Sequence, residues 1–147
     1  MTAPIDRRAA RVLLLDAQDR LLLFLGRDPA NAARGQWWFT PGGGLDPGET
    51  SAQGAVRELY EETGLVVTVQ DLGDVVHRRV TTFPWGPDTY RQEEEYFLLR
   101  VEGFEVDTAG FNALENEAVI DHRWWPRADL AATAERIYPS ELLELLP

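Results

Sequence analysis

The chain has 147 residues, of which 44% are hydrophobic, and this is enough for one domain with a sizeable core. It has no cysteine, which excludes disulfides, thiolate metal sites and cysteine nucleophiles. Its formal net charge of −11 argues against a nucleic-acid surface, because affinity for a polyphosphate backbone comes from clustered Lys and Arg. No stretch approaches the ~20 apolar residues of a membrane span, so we expect a cytoplasmic protein with no membrane partner.

Short apolar runs bounded by turn residues predict a β-sheet. In chain order, the runs typical of strands are residues 12–15, 21–25, 37–39, 65–72, 75–80, 95–101 and 119–125. Loops are predicted at 27–35 and 83–88, a loose end at 1–6, and no element for 103–112. Helices are predicted over 51–63, from Pro126 to about residue 137, and over 140–146. Strands interleaved with two or three helices indicate a mixed sheet covered on both faces, in a single domain over 1–147.

The segment 43–65 carries the most informative pattern, and it reads GGLDPGETSAQGAVRELYEETGL. In a helix over 51–63, Glu58, Glu61 and Glu62 stand at i, i+3 and i+4. The Cα atoms of Glu58 and Glu62 would be about 6 Å apart. Three like charges destabilise a bare helix, but a divalent cation such as Mg²⁺, which takes oxygen ligands, turns their proximity into binding energy.

The opposite side of this helix is predicted to face a core, and the glycine after it to end it. The residues on that side are Ala52, Ala55, Val56, Leu59, Tyr60 and Thr63. Gly64 stands where a left-handed C-terminal residue is common. The alternative is an ordinary solvated acidic face. Seven fixed Gly, Glu and Arg positions would coincide by chance about once in 10⁸ starting points, so the metal-site interpretation is favoured.

These residues resemble the signature of the Nudix hydrolases, G-x5-E-x7-R-E-U-x-E-E-x-G-U with U a bulky aliphatic residue. The matching positions are Gly43, Glu49, Arg57, Glu58, Leu59, Glu61, Glu62, Gly64 and Leu65. The resemblance implies an α/β/α sandwich with a mixed β-sheet. It also implies an enzyme that uses Mg²⁺ or Mn²⁺ to hydrolyse the diphosphate linkage of a nucleoside diphosphate derivative or nucleoside triphosphate, by water attack at phosphorus.

The resemblance also assigns roles within the signature. Glu61 and Glu62 would be the main metal ligands, and Glu58 either a ligand or the general base. The carbonyl of Gly43 would complete the metal shell. Arg57 would orient Glu61 by a charge-assisted hydrogen bond.

Two expectations concern residues that support the site or complete it from outside the signature. Glu49 is expected to support its loop, as Gly64 supports the helix end. An additional acidic ligand is expected before the late strand, with Glu117 the first choice and Glu115 the second. The acidic run at 93–95 is another candidate, although its position before an apolar strand is more typical of a solvated strand entry.

Substrate contacts are expected from loops outside the signature. Trp85 lies where a base could stack, since aromatic faces offer ~1–3 kcal/mol per base. Arg27, Arg78 and Arg91 are candidates for holding phosphate, and for Arg78 and Arg91 the alternative is an ordinary surface arginine.

One other function remains open, a catalytically silent module that binds a nucleotide or nucleotide sugar. Such modules usually lose glutamates of the signature, whereas this chain keeps them all. We expect the partner to be a small nucleotide and not a nucleic-acid polymer, and the protein to be a monomer or a homodimer.

Overall fold

The computed structural model of the protein describes residues 3–147, which form a mixed sheet with helices packed against it. The strands are β1 (Ile5–Leu15), β2 (Leu21–Arg27), β3 (Gln36–Phe39), β4 (Gly42–Gly44), β5 (His77–Trp85), β6 (Asp88–Arg100), β7 (Val119–Trp125) and β8 (Ile137–Tyr138). The helices are α1 (Ser51–Thr63), α2 (Val69–Leu72), α3 (Ala113–Ala118) and α4 (Arg127–Ala132). Short 3-10 turns lie at Ala32–Arg34 and Leu142–Leu145.

The sheet separates into two leaves where β1 and β2 diverge. Their pairing is antiparallel and ends near Leu15 and Leu21, next to the turn that joins them. The chain segment 36–44 fills the resulting gap, because β3 pairs with β2 while β4 pairs with β1. One leaf then continues from β1 through the parallel strand β6 to β5, and the other includes β7 and β8. The predicted mixed sheet is confirmed.

Alternate residues of β1 and β2 build a separate core on each face of the sheet, as period-two side chains require. The face that packs against α1 and α2 contains the buried side chains of Val12, Leu14, Leu22, Phe24, Ala55, Leu59 and Leu72. The opposite face contains those of Leu13, Leu15, Leu21, Leu23, Trp38, Trp125, Leu130 and Leu142. Helical residues therefore cover both faces, and the α/β/α arrangement is confirmed.

Helix α1 has the predicted bounds because both of its ends are set locally. The Thr50 hydroxyl accepts from the Gln53 N–H at 3.1 Å, and the Gln53 side chain accepts from the Thr50 N–H at 3.0 Å, which makes a capping box. At the other end Gly64 is left-handed, with φ of 78°, and its N–H donates to the Tyr60 carbonyl. One expectation for this helix is wrong, because the Tyr60 side chain is 61% exposed and does not face the core.

Several predicted elements are wrong where backbone pairing or local capping outweighed the apolar pattern. Residues 65–72 are not a strand, since their second half is α2, begun by a capping box of Thr68 and Asp71. Residues 83–88 are not a loop, because 83–85 end β5 and 88 begins β6, which leaves only 86–87 as the turn of this long hairpin. Strand β6 begins seven residues before the predicted 95 because its polar first half pairs with both β1 and β5.

The remaining differences lie near the two ends of the chain. Strand β1 begins at Ile5, well before the predicted residue 12 and inside the expected loose end, whose first two residues lie outside the described part. Helix α4 ends at Ala132, because the chain then pairs with β3 as β8. The helix expected over 140–146 is a 3-10 turn, and α3 was not predicted. Among residues 3–147, no helix combines the length and the apolar character needed to cross a membrane.

Candidate active site

Three carboxylates converge beside strand β4. Glu58 and Glu62 project from α1, and Glu115 projects from α3. One oxygen from each of these side chains lies within 4.8 Å of the other two, and we call this group the carboxylate cluster. Glu62 is only 3% exposed and Glu58 9% exposed, so both carboxylates are largely shielded from solvent.

Burial and mutual repulsion disfavour the charged forms of the cluster. Burial raises the pKa of Glu62 well above its usual range, and the neighbouring charge of Glu58 adds to the effect. Burial also raises the pKa of Glu58, against the opposing influence of Arg57. The pKa of Glu115 is raised chiefly by burial as well. Ionisation of all three carboxylates is therefore unfavourable in the metal-free protein, and a bound cation would offset their repulsion.

Two glycines of strand β4 lie close to the cluster and to strand β1, with little room for a side chain. The N–H of Gly42 donates to Glu62 Oε1 at 2.7 Å. A Cβ at Gly42, whose φ is 131°, would lie 2.0 Å from the Ala10 carbonyl oxygen, and a Cβ at Gly43 would lie 2.9 Å from Glu58 Oε1. The structure thus gives a steric reason for glycine at 43, while metal ligation by its carbonyl stays a prediction.

Arg57 connects the loop before α1 to the cluster. Its Nε and Nη2 donate to the two oxygens of Glu49 at 2.8 and 2.9 Å, a two-pronged contact. Its Nη1 donates to Glu58 at 3.1 Å and to Glu61 at 3.2 Å, and Nη2 also reaches the Gly44 carbonyl at 3.1 Å. The hydrogen bonds from Arg57 are the main cause of the lowered pKa of Glu49. Glu49 therefore contacts Arg57 and lies outside the carboxylate cluster, and its role as a support of the loop stays a prediction.

The structure brings together a set of acidic residues that differs from the ligand set expected from the sequence. Glu115 belongs to the cluster, whereas Glu117, the first choice from sequence, is exposed and offers its backbone carbonyl to Arg27 at 3.0 Å. The reason is helical geometry, because residues two apart in α3 project about 200° from each other. Glu61 is partly exposed and contacts Arg57, so it lies at the edge of the site and not within the cluster.

The expected substrate residues divide into two groups. Arg27 lines a cavity of about 320 Å³ together with Asp28, Pro29, Ala32 and Glu117. Trp85, at the end of β5, packs edge-to-face on Trp37, with ring centroids 6.4 Å apart. Arg78 instead pairs with Glu95 at 3.0 Å, and Arg91 with Glu93 at 3.3 Å, both on the exposed surface. Binding of substrate by any of the four stays a prediction.

The position of the Arg11 side chain next to the site was not predicted from the sequence. Arg11 of β1 donates through Nη1 to the carbonyls of Thr40 and Gly42, at 3.1 and 3.0 Å. Through Nε it contacts Glu94 Oε2 at 3.4 Å. Glu94 is only 5% exposed, so the expectation of a solvated acidic run at 93–95 is wrong for its central residue. The available signal was a single arginine between Ala10 and Val12, inside an apolar strand.

The residues present fit a hard divalent cation. Mg²⁺ and Mn²⁺ prefer oxygen ligands, and the cluster offers three carboxylates from two helices within 4.8 Å. Two of these carboxylates are buried, and burial raises the pKa of both despite the hydrogen bonds that they accept from Arg57 and Gly42.

Comparison with known proteins identifies the family of this chain. The NUDIX domain family model matches residues 6–146. An RNA pyrophosphohydrolase of Roseobacter denitrificans is 32% identical over 144 residues, which cover 90% of this chain and 82% of that protein. One of Erythrobacter litoralis is 33% identical over 114 residues, covering 69% of this chain and 65% of the relative.

The fold is also found in solved structures. The MutT protein from Methanosarcina mazei Go1 superposes with a TM-score of 0.70 at 16% identity, covering 99% of this chain and 93% of that one. Such low identity speaks for the fold alone, but the family model spans nearly the whole chain. The chain therefore belongs to the Nudix hydrolase family.

Proposed function

We propose that this Nudix hydrolase binds Mg²⁺ or Mn²⁺ at Glu58, Glu62 and Glu115 and cleaves the diphosphate linkage of a nucleoside diphosphate derivative or nucleoside triphosphate. The observation that carries the proposal is the convergence of the three carboxylates within 4.8 Å, two of them buried. When bound, the ion neutralises the diphosphate oxygens and lowers the pKa of coordinated water, which makes water a competent nucleophile.

The protein's own residues hold the cluster in position. The Gly42 N–H fixes one oxygen of Glu62, and Arg57 donates to both Glu58 and Glu61. Glu58 acts as a ligand or as the general base that accepts the proton of the attacking water. Either role needs an ionised carboxylate, and the hydrogen bond from Arg57 favours that form.

A small nucleotide is the proposed substrate, in preference to a polymer. Most arginines of the chain already form ion pairs with Asp or Glu, and the net charge is −11, so few cations remain for a polyphosphate backbone. The relatives named RNA pyrophosphohydrolases support a second candidate. Phosphodiester links contain no anhydride, so an RNA substrate would present a terminal 5′-polyphosphate to the same cluster.

A substrate panel tests the proposal. It contains NTPs, modified dNTPs, nucleotide sugars, ADP-ribose, dinucleoside polyphosphates and a 5′-triphosphorylated oligoribonucleotide, each with Mg²⁺ or Mn²⁺. Products are assayed with and without added phosphatase and pyrophosphatase, which distinguishes release of pyrophosphate from release of a phosphorylated second group. We expect turnover of a small nucleotide by the wild type and none by Glu62→Gln. Tight binding of one compound without turnover would instead support the binding-module alternative.

The remaining expectations about the whole protein are proposals of the same kind. A cytoplasmic location is one of them, and fractionation of cells that express the protein would test it. Light scattering after size-exclusion chromatography would decide between a monomer and a homodimer.

A further inference from the structure

A partly buried arginine, Arg11, holds the bend that leads from β3 into β4. The Arg11 side chain is 17% exposed, although it projects from an otherwise apolar part of β1. Its Nη1 donates to the carbonyls of Thr40 and Gly42, which stand on either side of Pro41. The Val12 N–H donates to the Pro41 carbonyl at 2.9 Å. Three consecutive carbonyls of the bend are therefore held from β1.

The same bend determines where the Glu62 carboxylate lies. Arg11 holds the carbonyl of Gly42, and the N–H of Gly42 donates to Glu62 Oε1 at 2.7 Å. Only glycine fits at position 42, because a Cβ there would lie 2.0 Å from the Ala10 carbonyl oxygen. The backbone alone therefore makes the contact with Glu62 at this position. A shift of the bend would move the N–H of Gly42 away from the carboxylate that it holds.

The Arg11 guanidinium also contacts the carboxylate of Glu94. This buried carboxylate accepts from Gln92 Nε2 and Arg79 Nη1, each at 2.8 Å, and from the Tyr96 hydroxyl at 3.1 Å, in addition to Arg11 at 3.4 Å. Burial alone would raise the pKa of Glu94, but the nearby charge of Arg11 and the hydrogen bond from Gln92 help to lower it overall. Glu94 is thus an anion that fixes Arg11 against the bend.

We propose that Arg11 is a positioning residue for metal binding, because its hold on the bend at 40–42 fixes the Gly42 N–H and through it the orientation of the Glu62 carboxylate. The inference rests on the proposed function, since it assigns a support to the proposed metal site. A cation beside a cation site weakens metal binding through its charge alone. On electrostatic grounds alone, removing the charge of Arg11 would strengthen metal binding. Weaker metal binding by an Arg11 variant would therefore indicate that Arg11 acts by positioning Glu62.

The test measures Mn²⁺ binding directly, by electron paramagnetic resonance or calorimetry without substrate, at mildly alkaline pH. We expect Arg11→Met to raise the Kd for Mn²⁺ about 10- to 100-fold, as loss of residues that orient metal ligands typically does. The matched control is Arg79→Met. Arg79 donates to the same Glu94 and is 21% exposed, but its other ion-pair contact is Glu141 and not the bend. We expect the control to lower Tm similarly and leave the Kd unchanged.

A second variant covers the case in which Arg11→Met does not fold. Arg11→Lys keeps the positive charge but lacks the planar fork that reaches both carbonyls and Glu94 together, so it too should bind Mn²⁺ more weakly than wild type. The inference is overturned if a folded Arg11 variant binds Mn²⁺ as tightly as wild type, or if Arg79→Met weakens binding equally. Failure of the wild-type protein to bind Mn²⁺ would instead remove the proposed function.

Discussion

Replacing Glu62 by glutamine should stabilise the metal-free protein while it abolishes hydrolysis. The reason is that Glu62 is a buried carboxylate whose nearest charged neighbours in the cluster, Glu58 and Glu115, carry the same sign. Glutamine has nearly the same shape and keeps an oxygen that can accept from the Gly42 N–H. The substitution therefore removes repulsion and metal affinity together, with little change in packing.

The magnitude follows from the separation of the charges. Two unit charges 4.8 Å apart repel by about 3 kcal/mol at an effective dielectric constant of about 20. Loss of the attraction between Glu62 and Arg11 reduces the gain. We expect a net increase of about 2 kcal/mol in the free energy of unfolding at mildly alkaline pH. For a chain of this length, that corresponds to a rise in Tm of about 4–8 °C.

The stability that Glu62→Gln gains over wild type should increase with pH. The pKa of Glu62 is raised in the folded protein, so its contribution to stability is present below the unfolded-state pKa and is lost as pH rises through the folded-state pKa. The variant is consequently expected to exceed wild type in Tm at mildly alkaline pH. The difference should disappear as pH falls to the ordinary range of a glutamate, about 4.3.

Thermal unfolding with EDTA, and again with Mg²⁺, measures both effects, and activity is followed in parallel. Wild type should gain stability from Mg²⁺ and Glu62→Gln should not. Glu102→Gln, which makes the same change at an exposed position, should alter stability by less than about 0.5 kcal/mol. A lower Tm for metal-free Glu62→Gln, or Mg²⁺ stabilisation equal to that of wild type, would refute the reasoning.

Three further substitutions test other parts of the site. Glu115→Gln should weaken Mn²⁺ binding at least about tenfold, whereas Glu117→Gln on the same helix should leave it unchanged. Equal weakening of Mn²⁺ binding by the two substitutions would contradict the assignment of Glu115. Gly43→Ala places a Cβ 2.9 Å from Glu58 Oε1 and should lower kcat about 10²-fold with a native circular dichroism spectrum; unchanged kcat would exclude this steric role. Glu58→Gln should lose activity in either role, and an unaltered pH–rate profile of its residual activity would argue against the general base.

The signature helix could be predicted from the sequence because the interactions that form it are local. The capping box of Thr50 and Gln53, the left-handed Gly64 and the i, i+3, i+4 spacing of the glutamates all lie within one segment. The resemblance to the Nudix signature rests on this segment, and the match of the family model to residues 6–146 confirms it. Most strands in apolar runs could be predicted for the same reason, since a short apolar run bounded by turn residues is visible in the sequence itself.

The parts of the site that only the tertiary structure decided depend on contacts between distant segments. A local pattern shows how a side chain is oriented within its own element, but not which other element covers it. Glu94 lies in an acidic run typical of a solvated surface, yet it is buried in a strand that pairs with β1 and β5, where it contacts Arg11, 83 residues away in sequence. Glu115 and not Glu117 joins Glu58 and Glu62, because the fold directs one side of α3 toward the two glutamates of α1. Arg11 reaches the bend at 40–42 only because β4 pairs with β1, a pairing that no local pattern reveals.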